Sequence, residues 1–88
     1  MRKVEKEFVS ANILNVCVEH NGFHGGDEGH GSYVKIKFED LASTSMLING
    51  KRCIDFEIEF RGDTERETLL EGLEFIVKEL KKHNGYNL

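Results

Sequence analysis

Histidines, carboxylates and glycines crowd one stretch of the chain, His20-Asn21-Gly22-Phe23-His24-Gly25-Gly26-Asp27-Glu28-Gly29-His30-Gly31-Ser32. It holds three of the four histidines and five of the nine glycines. Two chemistries follow from these residue types. Glycine-rich turns can aim several backbone N–H groups inward as an anion nest, with His24 or His30 hydrogen-bonding the bound group. Asp27 and Glu28 disfavour a bare phosphate there and suit a ribose, a base edge or a cationic partner better. The ligand-binding set expected on this reading is His20, His24, Gly25, Gly26, Asp27 and His30. The alternative is a metal site, because imidazole and carboxylate together suit zinc or nickel. His24, Asp27 and His30 would be its ligands, joined by His20, although their spacing matches no standard pattern and the neighbouring glycines leave them poorly oriented. The plainest reading makes the stretch a solvated connection.

Catalysis is not expected of it. A hydrolase holds a nucleophile and a base rigidly, and the candidates Ser32 and His30 sit among the most flexible residue types in the chain. The stretch matches neither a phosphate-binding loop ending in Gly-Lys-Ser/Thr nor a dinucleotide fingerprint. No catalytic residue and no cofactor is assigned. Arg61-Gly62-Asp63 spells an adhesion tripeptide, but a turn into a helix with Asp as cap explains it more simply.

A second candidate surface lies on the C-terminal segment. At about 100° per residue, Leu69, Leu70, Leu73, Ile76, Val77 and Leu80 fall on one arc, which predicts a helix over about 63–84. Phe75 points away from that arc, with Thr68, Gly72 and Glu79 near the same meridian. Glycine inside a helix costs roughly 1 kcal/mol relative to alanine, so close approach of another backbone at Gly72 would compensate. Thr68, Gly72, Phe75 and Glu79 are therefore the expected interface of a homo-oligomer or of a partner protein. Thr64 and Glu67 have capping-box spacing, Asp63 being the rival cap. Lysines crowd the last turns before Gly85, as the helix dipole and a left-handed cap favour.

The elements that must position these residues are strands. In Lys51–Arg61, Ile54, Phe56, Ile58 and Phe60 alternate with Cys53, Asp55, Glu57 and Glu59. In Tyr33–Glu39, Val34, Ile36 and Phe38 alternate with Lys35, Lys37 and Glu39. Lysines facing glutamates across strands would make these two neighbours. Asn49-Gly50 after Ser45–Ile48 is a hairpin signal, because both residues tolerate positive φ. Phe8–His20 is β-rich, with a bend at Ser10-Ala11-Asn12. The fold expected is α+β: an antiparallel β-sheet of three to four strands over about 5–61, with one C-terminal amphipathic helix packed on one face.

The chain has 88 residues, enough for one core and too few for two, so a single domain over 1–88 is expected. A formal charge of -4 disfavours a nucleic-acid partner, which needs a surplus of Lys and Arg. No run is long and apolar enough for a membrane span, and Met-Arg-Lys-Val-Glu-Lys-Glu is unlike a signal peptide, so a cytoplasmic protein is expected. In that compartment Cys17 and Cys53 would be small hydrophobes rather than a disulfide.

Gly-Gly-Asp-Glu-Gly-His-Gly at 25–31, Phe-Glu-Asp-Leu-Ala-Ser-Thr at 38–44, Gly-Asp-Thr-Glu at 62–65 and Leu-Leu-Glu-Gly-Leu-Glu-Phe at 69–75 together resemble a group of small uncharacterised bacterial and prophage proteins. The resemblance covers most of residues 20–80 and implies no activity. It suggests a setting, that of phage-borne regulators or anti-defence factors that bind a host protein or sequester a small signal molecule. Non-enzymatic binding to a protein partner or small-molecule ligand is the function expected, with a metal-binding protein or metal-dependent enzyme as the alternative.

Overall fold

The computed structural model describes residues 2–22 and 31–83. Strands β1 (Arg2–Val9), β2 (Ile13–His20), β3 (Tyr33–Ala42) and β6 (Asp55–Arg61) form an antiparallel sheet in the order β1-β2-β3-β6. A two-residue pair, β4 (Leu47–Ile48) and β5 (Lys51–Arg52), stands apart from it, and helix α1 (Asp63–Lys82) follows. The α+β architecture with its C-terminal helix is as the sequence pattern requires.

Register explains the two faces of the sheet. Val4 pairs with Val18, Val18 with Ile36 and Ile36 with Ile58, so one row across all four strands is apolar. The next row carries Val16, Phe38 and Phe56, whose two rings stack at 5.3 Å. On the opposite face Lys3, Glu19, Lys35 and Glu59 form one row of alternating charge. Opposite charges directly across from each other each contribute a few tenths of a kcal/mol, and a one-residue slip of any strand would carry its apolar residues to the charged face. That charge row makes β3 and β6 neighbours, as their lysines and glutamates imply.

Tyr33 is buried on this charged face because Arg61 lies over its ring at 5.0 Å and Lys35 at 5.9 Å. A side-chain hydrogen bond with Tyr33, then the Tyr33 charge and Glu57, hold the Lys35 ammonium above its ordinary 10.5. A raised lysine stabilises the fold below its unfolded value and loses that contribution as pH rises through the folded one. The difference in urea midpoint between the native chain and Lys35→Met should therefore be constant to about pH 10 and shrink above it. A difference growing with pH would contradict this assignment.

Three local expectations are corrected. Lys51–Arg61 is not one strand. Asn49 and Gly50 take φ of 52° and 79°, as a two-residue hairpin requires, and this pairs Lys51–Arg52 with Leu47–Ile48. The chain must then cross to β3, and Cys53 and Ile54 carry it over: Cys53 N donates to Met46 O at 3.0 Å, and Ile54 O accepts from Asp40 N at 2.7 Å. Ile54 consequently leaves the apolar face and is exposed. The bend at 10–12 separates two full strands, and the first begins at Arg2 among residues whose charge hid it. The cap of α1 is neither Thr64 nor Asp63 but Gly62, which supplies no side-chain hydrogen bond. Asn84 and Gly85 lie outside the described residues.

The helix rests on only part of the sheet. It rests chiefly on β6 and β3, where Leu69 meets the apolar row, with Arg66 reaching His20 of β2 at 3.5 Å, and none of its residues is buried. Leu70, Leu73, Ile76, Val77 and Leu80 are between 37% and 67% exposed. The grooves along α1 that include sheet residues reach Ile76, and the groove past it is lined by helix residues alone.

Candidate functional site

The ends of the 20–32 stretch are held together by a polar lattice. Asn21 does most of this. Its Oδ1 accepts from Tyr33 N at 2.8 Å, its Nδ2 donates to Gly31 O at 3.3 Å, and its own N–H donates to Tyr33 O at 3.3 Å. Gly22 and Gly31 take φ of 74° and 81°, a left-handed conformation at each end that glycine adopts without strain.

Ser32 anchors the exit of the stretch. It is 1% exposed, and both its N–H, at 3.2 Å, and its hydroxyl donate to Asp63 Oδ1. Gly62 N closes the contact by donating to Ser32 O at 2.7 Å. The Asp63 carboxylate thus fastens the stretch to the start of α1. A buried hydroxyl already donating to a carboxylate is no exposed nucleophile, so Ser32 serves architecture. Arg61 pairs with Glu59 at 2.5 Å and covers Tyr33, so all three residues of Arg61-Gly62-Asp63 have structural roles.

His20 is the one expected ligand-binding residue whose place is described. It ends β2, paired with Val34, and its Nδ1 accepts from Gly22 N at 3.2 Å with Arg66 Nη1 3.5 Å away. Accepting at Nδ1 leaves the ring proton on Nε2 in the neutral form. His24, Gly25, Gly26, Asp27 and His30, and with them the alternative metal set, lie outside the described residues. Among the described residues no three His, Cys, Asp or Glu side chains converge as metal ligands. Cys17 and Cys53 are both free thiols.

Beside this neck runs a groove of about 180 Å³, floored by Val18, Val34 and Ile36 and walled by Leu69, Leu70 and Leu73, with His20 and Arg66 at its polar end. Small-molecule pockets are generally about 300–1,000 Å³. This groove is the size of an apolar side chain rather than of a nucleotide. No family model, curated protein or solved structure matches the chain. Function must be argued from the surface itself.

On the helix, Thr68 and Gly72 line a second groove against Ile58 and Phe60 of β6, and the Thr68 hydroxyl donates to Thr64 O at 3.1 Å. A Cβ added to Gly72 would meet nothing within 4 Å, so among the described residues no other segment approaches it. Phe75 is exposed, and Glu79 pairs along the helix with Lys82 and His83, both at 3.5 Å. Sequence periodicity did not single out the opposite side of the helix, where Leu70, Leu73, Val77 and Leu80 are also open. Their spacing reads equally as a core stripe, and only the short reach of the sheet separates the two.

Proposed function

We propose that the protein is a small non-enzymatic binding protein whose contact surfaces are the 20–32 stretch and the exposed apolar side of α1. One observation carries this. Apolar residues that periodicity assigns to a core stand open to solvent along most of α1, and contiguous exposed apolar surface on a folded domain marks a site of association. The groove beside His20 supports a protein partner over a free small molecule, because its volume suits an inserted side chain. The motif resemblance adds the setting of a phage-borne factor acting on a host protein. Among the described residues no helix is long and apolar enough to cross a membrane.

Binding of a fluorescent apolar dye tests the reading. At about 1 µM, folded protein with intact near-ultraviolet circular dichroism should bind anilinonaphthalene sulfonate, and Val77→Glu with Leu80→Glu should remove more than half of the signal without changing the far-ultraviolet spectrum. A folded monomer that ignores the dye would show that the face closes within one chain, and the proposal would fall.

A further inference from the structure

Four antiparallel strands at about 4.8 Å spacing make a face nearly 20 Å wide, whereas a helix with its side chains is about 10–12 Å across. One helix therefore covers two strands. Here α1 covers β3 and β6 and reaches over Val18 of β2, none of whose residues is exposed, and the same face continues uncovered onto β1, where Val4, in register with Val18, and Phe8 are exposed. The fold has room for a second helix beside α1, and among the described residues the chain supplies only one.

We propose that a second copy of the chain supplies it, the two α1 helices lying antiparallel side by side between two sheets. This rests on reading the α1 face as a contact surface. Leu70, Leu73, Val77 and Leu80 follow the 3-4-3 spacing of a helix-pairing seam, and the first two border the groove that opens toward Val18. Charge fixes the direction. The half of α1 before Phe75 carries Asp63, Glu65, Glu67, Glu71 and Glu74 against Arg66, while the half after it carries Lys78, Lys81, Lys82 and His83 against Glu79. Antiparallel pairing sets acidic half against basic half twice. Parallel pairing sets like against like and drives the two sheets, both fixed at the helix N-termini, into one another.

The arrangement is isologous, so it closes at two copies. It leaves Phe75 on the outer side of each helix.

Sedimentation equilibrium of the full chain is the test. At about 100 µM the native protein should have twice the 10.1 kDa chain mass. Val77→Glu buries a charge in the seam of both copies and should weaken association more than about 100-fold. Val4→Glu lies on the exposed edge strand β1, away from the β6 and β3 strands on which α1 chiefly rests, so its monomer keeps its fold, and it should dissociate the pair as well. In a pairing centred near Phe75, Glu67 of one copy faces Lys81 of the other. Glu67→Lys should weaken the dimer about five- to tenfold, and adding Lys81→Glu should restore it. A native chain monomeric at about 100 µM, or a dimer indifferent to both Val77→Glu and Val4→Glu, overturns the proposal. Failure of the charge swap to restore overturns the antiparallel register. In the first case a dye-binding monomer would leave the binding function standing, with another protein as occupant of the face.

Discussion

Asp63→Ala should lower stability by about 3 kcal/mol, because it leaves the buried N–H and hydroxyl of Ser32 without their acceptor, and each unsatisfied buried donor costs about 1–3 kcal/mol. In a domain of this length that is a fall in Tm of about 15 °C. Two companions make the result specific. Asp63→Asn keeps an oxygen able to accept from Ser32 and should cost about 1 kcal/mol, while Ser32→Ala removes one donor and leaves the carboxylate its amide partner. The double variant Ser32→Ala/Asp63→Ala should then be clearly less destabilised than the sum of the singles, since both substitutions delete the same contact. Urea unfolding measures all four. An Asp63→Ala change under about 0.5 kcal/mol would mean that the Ser32 pocket is wet or collapses, and the anchoring role would be lost.

Gly62→Ala attacks the same junction through the backbone. Gly62 is buried with φ 121° and ψ 152°, a region open essentially only to glycine. An L side chain must either hold that geometry at a cost of about 1–3 kcal/mol or rotate away, and rotation withdraws Gly62 N from Ser32 O. We expect a loss of about 3 kcal/mol or more and, unlike Asp63→Ala, a shift in helix position. Amide exchange would register it as faster exchange at Arg66, whose N–H donates to Gly62 O at 3.0 Å. A Gly62→Ala protein as stable as the native chain, with unchanged exchange at Arg66, would contradict the strain argument. Gly50, with φ 79° in an exposed hairpin where a Cβ meets nothing, should be far more tolerant.

The fold class, the β3 to β6 neighbourhood, the Asn49-Gly50 hairpin and the helix were legible because each depends on local alternation, on one turn dipeptide or on helical period. What sequence reading missed depends on partners distant in the chain. Asp63 read as a helix cap because capping is a local role for aspartate, whereas its partner, Ser32, lies 31 residues away. Lys51–Arg61 read as one strand because its alternation is unbroken, and nothing in that alternation shows that the hairpin and β3 recruit different parts of it. Of the expected ligand-binding residues only His20 can be placed, and its hydrogen bond from Gly22 gives it a role in holding the neck. The exposed helix face was hidden for a related reason: a stripe of leucines carries the same period whether a sheet of the same chain covers it or another molecule does.

Strand β1 is exposed at every residue and forms one outer edge of the sheet. A free strand edge is a template onto which further strands can add without limit, the route by which sheet proteins become fibres. Arg2, Lys3, Glu5, Lys6 and Glu7 occupy most of it, so an incoming copy in parallel register would stack each charge on itself. The edge is thus guarded by charge while the helix face is left open. Growth by strand addition is suppressed, and in the proposed pairing association at rising concentration is directed to a surface whose symmetry ends it at a finite size.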